Sequence, residues 1–398
     1  MNPSIERLHA YPFEKLAQLK AGVSTPKDLR HIALSIGEPQ HETPSFVCDV
    51  LAEHLSELAK YPTTRGVDEL REAIARWLVQ RFDLAANAID PNHHVLPVSG
   101  TREALFAFAQ ATIDRRVQPT VVMPNPFYQI YEGAAILAGA EPWFLNTTAE
   151  HHFDMDLDAV PHTVWQRCQL IYTCSPGNPT GRVLPREQLA KLIELADKYD
   201  FVIAADECYS EIYPDEDNPP VGLLQVCREL GRTNFERCVV FHSLSKRSNL
   251  PGLRSGFVAG DAKLLDRFLR YRTYHGCAMP LPAQRASIAA WRDEEHVRAN
   301  RQLYREKFEA VLALLQPVMD VQAPDAAFYL WPQTPIPDTE FARKLYGAKN
   351  VTVLPGSFLS RDTPLGNPGR NRVRMALVAS VAECVEAAQR VRAFVESL

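Results

Sequence analysis

Residues 242–254, HSLSKRSNLPGLR, place one lysine, Lys246, among three serines and end at an arginine, Arg254. The apolar run CVVFHS before them predicts a buried strand that ends at the serines. A lysine at the end of such a strand can form a Schiff base with a carbonyl. Serine hydroxyls and the planar fork of an arginine suit a phosphate. The stretch therefore predicts a site for a small molecule carrying both an aldehyde and a phosphate, which is the chemistry of pyridoxal 5′-phosphate (PLP).

The composition is that of a globular protein of two or three domains, with 398 residues, 46% hydrophobic and 23% charged. A net charge of −5 gives no electrostatic reason to expect a nucleic acid or an anionic membrane as partner. Residues 1–16 carry charges where a signal peptide would be apolar, and no apolar run approaches a membrane span. We therefore expect a cytoplasmic protein.

The cysteines and histidines give no sign of a disulfide framework or a metal site. Eight cysteines are scattered without a C-x-x-C pair, which is typical of free thiols in a reducing compartment. The histidine doublets at 93–94 and 151–152 lie in polar loops, and adjacent histidines point in different directions. We expect no bound metal.

From residue 94 onward, strand and helix patterns alternate, which predicts a parallel sheet with crossover helices. The strand 94–98 runs into Ser99, Gly100 and Thr101 and then into the helical run ALFAFAQA. A small-residue turn at a helix N-terminus offers free backbone N–H groups and a favourable dipole. The turn is a predicted anion site.

Two further strands of this series end in polar side chains. SPGNPTG, residues 175–181, is a turn by its proline and glycine content and contains Asn178, whose bond to Pro179 is a candidate for cis geometry. The strand 201–205 ends at Asp206, which alone would be interpreted as a helix N-cap. Because Asn178, Asp206 and Lys246 each follow a strand of their own, a shared site at one sheet edge is favoured.

These motifs, in this order, resemble the class I/II aminotransferases, the fold-type I PLP enzymes. The resemblance implies an α/β fold, with a large domain on a mainly parallel seven-stranded sheet and a smaller α/β domain. It implies an N-terminal segment at 1–43 that contributes to the small domain, and a PLP-binding domain at 44–281. It also implies an interdomain helix and C-terminal small domain at 282–398. Separately, the sequence pattern predicts a strand at 31–36, helices at 44–59 and 67–82, and one long helix at about 282–315.

The resemblance implies roles for the residues around the cofactor. Lys246 would form the Schiff base, and Asp206 would bond to the pyridine nitrogen and keep it protonated. Tyr209 and Asn178 would donate to the phenolic oxygen, and Tyr128 would stack on the ring, with Phe127 as the competing choice. The implied catalytic residues are Lys246, Asp206 and Tyr209. The remaining implied cofactor contacts are Ser99, Gly100, Thr101, Ser243, Ser245, Arg254 and, from a neighbouring subunit, Tyr61.

Tyr61, in YPTTRG, is the residue through which the resemblance implies a homodimer with shared active sites. In the family, a tyrosine at this point reaches the cofactor phosphate of the other subunit. Without the resemblance, a tyrosine before a proline would indicate only a turn.

Substrate binding is implied for Gly37, Asn178 and Arg374. The Gly-Glu-Pro turn at 37–39 would bring a backbone amide close to the substrate carboxylate, which a glycine permits. In NRVRMAL, Arg372 and Arg374 share one face of an alternating strand, so the pattern cannot choose between them. The resemblance favours Arg374 as the residue that grips the α-carboxylate, and we expect Arg370 and Arg372 to be solvated.

Within the family, the chain resembles the N-succinyldiaminopimelate aminotransferases of bacterial lysine biosynthesis. That similarity implies glutamate and 2-oxoglutarate as the amino acid and 2-oxo acid pair, and a partner substrate with extra carboxylates. Candidates for binding these carboxylates are Arg30, Arg65 and Arg272. An aspartate or broad-specificity aminotransferase and a PLP carbon–sulfur lyase remain open, as does a PLP-binding regulatory protein. The last would need a DNA-binding domain ahead of the PLP fold, and no basic helix-turn-helix pattern precedes it.

Overall fold

The structure is a computed structural model that describes residues 2–398. Its strands, numbered along the chain, are β1 (Ile32–Ala33), β2 (Val95–Val98), β3 (Thr120–Asn125), β4 (Glu141–Asn146), β5 (Cys168–Cys174), β6 (Val202–Asp206), β7 (Cys238–Ser243), β8 (Gly256–Gly260), β9 (Tyr329–Leu330), β10 (Val351–Thr352), β11 (Leu354–Pro355) and β12 (Val373–Ala376).

The α-helices are α1 (Pro12–Lys20), α2 (Ser45–Glu53), α3 (Asp68–Arg81), α4 (Thr101–Thr112), α5 (Ile130–Ala138), α6 (His162–Trp165), α7 (Arg186–Tyr199), α8 (Leu223–Glu229), α9 (Leu244–Arg247), α10 (Ala262–His275), α11 (Leu281–Arg292), α12 (Glu295–Leu315), α13 (Asp338–Lys349) and α14 (Val381–Val395). Within the described part of the chain, none is both long and apolar enough to cross a membrane.

Seven strands form the central sheet in the order β2-β8-β7-β6-β5-β3-β4. The five strands from β7 to β4 run parallel, whereas β8 is antiparallel to both β7 and β2. The predicted α/β fold with a mainly parallel seven-stranded sheet is therefore confirmed. Because the parallel strands point the same way, the residues that follow β5, β6 and β7 gather at one edge of the sheet.

Both faces of the sheet are buried, which explains the unbroken apolar runs of its strands. Alternate residues of β7 divide between two hydrophobic clusters: Val240 packs in one cluster with Trp77 of α3, and Val239 in the other with Phe108 of α4. Helices on each side thus hold the sheet and its site-bearing edge rigid.

A smaller unit surrounds a three-stranded antiparallel sheet, β11-β12-β9, and the parallel pair β1-β10. Its apolar cluster includes Val311 of α12, Leu345 of α13 and Phe394 of α14. Because Ile32 of β1 pairs with Val351 of β10, the N-terminal segment packs with the C-terminal third.

Two predicted elements are shorter than expected. The predicted strand 31–36 is wrong in length, because it pairs with β10 only over Ile32–Ala33. Beyond it the chain turns to β12: the Leu34 carbonyl accepts from the Ala376 backbone N–H (2.7 Å) and the Ser35 carbonyl from the Arg374 side chain. The predicted helix 44–59 ends as α2 at Glu53 and continues as a 3₁₀-helix, Leu55–Ala59.

The predicted long helix 282–315 is wrong as a single element, because it divides into α11 and α12 at residues 293–294. Asp293 is extended there, and its carboxylate accepts the backbone N–H of His296, 3.0 Å away. An aspartate that accepts a free N–H in the first turn favours the start of a new helix over continuation of the old one.

Candidate active site

The ends of the parallel strands line a cavity of about 560 Å³. It brings together residues that are far apart in the sequence, including most of those predicted for the site. The predicted residues that line it are Gly37, Thr101, Tyr128, Asn178, Asp206, Tyr209, Ser243, Ser245, Lys246, Arg254 and Arg374.

Lys246 extends into the cavity from the short helix α9, which Ser243 caps by accepting the backbone N–H of Ser245. Its Nζ donates to the carbonyl oxygen of Gly37, 2.6 Å away. Burial lowers the pKa of Lys246 to about 8. An amine with a lowered pKa is unprotonated more often near neutral pH, which suits it as a nucleophile and as a base.

Asp206 is buried at the end of β6. Tyr131 donates its hydroxyl to Asp206 Oδ2 over 2.7 Å, and the backbone N–H of Cys208 reaches Oδ1 over 3.3 Å. Burial raises the pKa of Asp206. Among residues 2–398, no lysine, arginine or histidine nitrogen lies within 4.0 Å of its carboxylate. The carboxylate is thus suited to a cationic group of a bound molecule, because an opposite charge would favour its ionised form.

One end of the cavity has the character of an anion cradle. Thr101 starts α4, and the left-handed Gly100 (φ 87°) before it lets the chain turn beside Arg254. Its positive φ would strain any other residue, and a Cβ at Gly100 would lie 2.3 Å from Arg254 Nη2, so glycine is strongly favoured there. Arg254 Nη1 donates to the Pro251 carbonyl, and its guanidinium has no carboxylate within 4.0 Å in the described chain. Ser99 and Gly100 shape this turn without lining the cavity.

Arg374 of β12 lies at the other end of the cavity, buried and without an acidic partner among the described residues. Its Nη1 donates to Asn178 Oδ1 (2.9 Å) and its Nη2 to the Ser35 carbonyl (2.7 Å), while Nε has no partner. An unpaired buried guanidinium is costly unless a carboxylate or equivalent acceptor arrives. The peptide bond between Asn178 and Pro179 is cis.

The structure also distinguishes the members of two residue pairs, Arg372 and Arg374 and Phe127 and Tyr128, between which the sequence pattern could not choose. Arg372 lies outside the cavity and outside β12, with its guanidinium 5.1 Å from the Phe153 ring centroid. It is half-buried, so the expectation that Arg372 is solvated was wrong, whereas Arg370 is exposed. Tyr128 lines the cavity, but Phe127 is buried against Phe144.

Several cavity residues were missed from the sequence. Tyr329 Oη lies 2.9 Å from the Tyr209 hydroxyl, and its ring lies 4.6 Å from the Arg374 guanidinium. A Cβ at Gly37 would lie 2.1 Å from Tyr329 Oη, which explains the glycine there. No local sequence pattern identifies Tyr329 as a site residue, because only the packing of β9 in the folded protein brings it to the cavity.

Arg102 is a further missed residue, and its position directly after the predicted anion turn was the available signal. It lines the cavity and donates from Nε to the Tyr128 hydroxyl over 2.7 Å. No carboxylate lies within 4.0 Å of its guanidinium in residues 2–398.

The other predicted residues lie away from the cavity of their own chain. Tyr61 is fully exposed. Arg30 pairs with Glu383, Arg65 donates to the Asn92 carbonyl, and Arg272 is buried on Glu103. The expectation that these arginines extend the substrate pocket is therefore wrong for the subunit described.

The cysteines are all free thiols, as predicted. Glu103, His275 and Cys277 place potential metal-ligand atoms within 4.8 Å of one another, and this group contains neither histidine doublet. The buried guanidinium of Arg272 contacts Glu103 and opposes a cation there.

Comparison with known proteins agrees with this geometry. Residues 30–391 match the family model "Aminotransferase class I and II", and the chain belongs to this family. The family is generally PLP-dependent, and its members use amino acid and 2-oxo acid substrates.

Three relatives are similar to the chain over nearly their whole length. It is 51% identical to an aminotransferase of known structure from Neisseria meningitidis Z2491, with a TM-score of 0.95 and coverage of 99% of this chain and 100% of that one. It is 31% identical over 390 residues to LL-diaminopimelate aminotransferase of Nitratidesulfovibrio vulgaris (strain DP4), covering 96% of each. A probable N-succinyldiaminopimelate aminotransferase from Thermus thermophilus is 27% identical, with a TM-score of 0.84 and coverage of 97% and 100%.

Proposed function

We propose that the protein is a PLP-dependent aminotransferase for N-succinyl-LL-2,6-diaminopimelate and 2-oxoglutarate in lysine biosynthesis, acting as a cytoplasmic homodimer. The observation that carries the proposal is that Lys246 and Arg374 line one cavity, neither having a carboxylate within 4.0 Å in the described residues. The amine and the guanidinium are thus available to a substrate in the same cavity as Asn178 and Tyr209.

The residues present fit PLP. Asp206 would hold the pyridine nitrogen, because its buried carboxylate lacks a cation. Tyr209 and Asn178 would donate to the phenolic oxygen, and Tyr128 would stack on the ring. The phosphate would lie on the turn at 99–101, with Ser243, Ser245 and Arg254. When bound, PLP supplies a carbonyl that exchanges with the substrate amine and a ring that withdraws electrons from the α-carbon.

The chain's own groups would orient the substrate and move its proton. Arg374 would take the α-carboxylate with two of its three guanidinium nitrogens, and Asn178 would hold the guanidinium in place through the bond described above. Lys246, with a pKa near 8, would remove the proton from the α-carbon and return it on the cofactor side. The Gly37 carbonyl would keep the amine over the site between these transfers.

Arg102 supports a substrate with more than one carboxylate. It is a third arginine in the cavity besides Arg254 and Arg374, and it has no acidic partner within the described part of the chain. The guanidinium of Arg102 would bind a distal carboxylate while Arg374 holds the α one.

The relatives support a diaminopimelate-type substrate, and they keep a second candidate open. The curated relative at 31% identity is an LL-diaminopimelate aminotransferase, which favours the free diamino acid as amino donor. The Thermus thermophilus relative, at 27%, favours the succinylated form. Both molecules carry a distal carboxylate for Arg102, so the choice depends on measurement.

The homodimer is supported by exposed aromatic side chains. Tyr61 is fully exposed and Tyr274 is 91% exposed. Exposed tyrosines are enriched where protein surfaces meet, because they bury a large ring while keeping a polar tip. A monomeric mass in solution, measured by light scattering on the fully active protein, would remove the dimer and the role of Tyr61.

The testing experiment is the visible spectrum of the purified protein before and after addition of one amino donor, with no 2-oxo acid present. N-succinyl-LL-diaminopimelate, LL-diaminopimelate and L-aspartate are added separately. Loss of the cofactor's visible band with the succinylated donor alone supports the proposal. Loss with LL-diaminopimelate alone selects the second candidate. Loss of the band with L-aspartate alone supports an aminotransferase but contradicts both diaminopimelate-type substrates. A purified protein without a visible band contradicts the role of Lys246.

A further inference from the structure

Lys307 is a buried lysine with no acidic partner. It lies on α12 with no exposed surface, and no carboxylate oxygen is within 4.0 Å of its Nζ among residues 2–398. Taking an ammonium out of water costs several kcal/mol unless other groups replace the water. A lysine in such a place therefore needs a structural reason.

The groups that replace water around Lys307 come from separate segments. Its Nζ contacts His41 Nε2 and donates to the carbonyls of Leu377 (3.2 Å) and Val378 (3.4 Å). The Tyr304 ring centroid lies 4.8 Å away. Burial lowers the pKa of Lys307 to about 8, and Glu383 and Cys384 of α14 partly oppose the shift.

His41 extends this contact to a third segment. Its Nδ1 lies 2.6 Å from Asn300 Oδ1, which also accepts from the side-chain amide of Asn249 at 3.1 Å. The contacts are mutually consistent when Lys307 donates to Nε2 and the imidazole carries its proton on Nδ1. The result is one continuous chain of hydrogen bonds from Lys307 to Asn249.

Each segment joined in this way also carries a residue of the cavity. His41 lies four residues after Gly37, Asn249 three residues after Lys246, and Leu377 three residues after Arg374. We propose that Lys307 is a positioning residue for substrate binding. It holds together the segments that carry Gly37, Lys246 and Arg374, between the seven-stranded sheet and the smaller unit. It acts through His41 and the Leu377–Val378 carbonyls without touching the substrate. This inference rests on the carboxylate-binding role proposed for Arg374.

The test is Lys307→Met, which keeps the aliphatic stem and removes the three N–H donors. The half-reaction is measured by the visible band, with whichever of L-glutamate and L-aspartate converts the wild-type protein. We expect the half-saturating donor concentration to rise about tenfold, the size expected for loss of a charged hydrogen bond. The maximum rate and the bound PLP should stay within about threefold, because Lys307 touches neither reacting atom nor cofactor.

Lys20→Met is the matched control. Lys20 also belongs to the smaller unit, donates to a hydroxyl (Thr352, 3.3 Å) and lies over a tyrosine ring (Tyr346, 4.7 Å), but these partners lie on β10 and α13, outside the segments of Gly37, Lys246 and Arg374. The half-saturating donor concentration of K20M should match that of the wild-type protein.

The inference is overturned if K307M folds cooperatively with a half-saturating concentration within twofold of wild type, or if PLP is lost while that concentration is unchanged. If K307M does not fold, His41→Leu breaks the same contact from the half-buried side, with the same expected rise and the same overturning results. Arg374→Lys, run in parallel, separates the two ideas. If the half-saturating donor concentration is unchanged in R374K, the carboxylate-binding role of Arg374 is wrong. If that concentration rises in R374K but not in K307M, only the positioning role of Lys307 is wrong.

Discussion

Tyr131 donates a hydrogen bond of 2.7 Å to Asp206, and both side chains are buried where β6 ends. The ring of Tyr131 is itself held by stacking on Tyr172, with centroids 4.6 Å apart and planes 10° apart. The carboxylate therefore has a fixed direction before any ligand binds. This relationship makes Asp206 a prepared partner for a cationic ring nitrogen.

Tyr131→Phe should weaken PLP binding. Without the hydroxyl, the Asp206 carboxylate loses a donor to its charged form, and its pKa rises further above the ordinary value. We expect the dissociation constant of PLP to rise about tenfold, measured by titration of the cofactor-free protein. Tyr172→Phe is the control, because the Tyr172 hydroxyl donates to the Leu105 carbonyl instead. Equal losses in the two variants would show that the effect does not come from the hydrogen bond to Asp206.

Lys246→Ala should abolish amino transfer and leave phosphate binding largely intact. The variant loses the one lysine amine that lines the cavity in residues 2–398, but the turn at 99–101 and Arg254 remain. Affinity for pyridoxamine 5′-phosphate, which lacks the aldehyde, should stay within about threefold of wild type, by fluorescence titration. Lys191→Ala serves as control, because Lys191 pairs with Asp158 and does not line the cavity. Multiple turnovers by K246A would remove Lys246 from its proposed role.

Arg374→Lys should raise the KM for both the amino acid and the 2-oxo acid by about tenfold or more. A lysine cannot keep the paired contacts to Asn178 and Ser35 while also binding a carboxylate with a planar fork. Arg372→Lys, two residues away on a side chain outside the cavity, should leave both values nearly unchanged. Steady-state kinetics with each substrate varied in turn would show the opposite order if Arg372 were the substrate ligand.

Arg102→Met should lower kcat/KM for donors with a second carboxylate and have little effect on L-alanine. The comparison within one variant removes any general damage to the site, because both substrates share the α-carboxylate contact. Arg102 is exposed, so we expect a loss of about two- to fivefold for the dicarboxylic donors. A uniform loss across all donors would instead assign Arg102 to the cofactor end of the cavity.

The stability of the cofactor-free protein should depend on pH through Lys246. Its pKa is about 8 when folded against 10.5 when unfolded, so the unfolded chain binds more protons between these values and stability rises with pH there. Lys246→Met should therefore be more stable than wild type at pH 7, by up to about 3 kcal/mol, with the difference shrinking toward pH 10. Urea unfolding at several pH values measures this. A difference constant over that range would show that burial does not shift the lysine.

The sequence predicted those parts of the site that depend on strand order. Asn178, Asp206 and Lys246 each follow a strand, and parallel strands end at a common edge, so their meeting followed from the alternating pattern. The choice between Arg372 and Arg374 did not follow, because alternation holds only inside a regular strand and Arg372 lies before β12.

The elements missed from the sequence depend on distant contacts. Tyr131 and Tyr329 acquire their partners Asp206 and Tyr209 only when the sheet and the smaller unit are assembled. The break between α11 and α12 depends on one aspartate side chain, which the helical spacing on both sides conceals.

The left-handed turn at Gly100 has a consequence for how the sequence can change. Any side chain at position 100 would be strained whatever space surrounds it, because φ there is 87°, and a Cβ would also meet the guanidinium of Arg254. Shortening Arg254 removes only the steric conflict and takes the cation away from the anion cradle, while the backbone strain stays. We therefore expect glycine to persist at position 100 in related sequences even where the residue at position 254 changes.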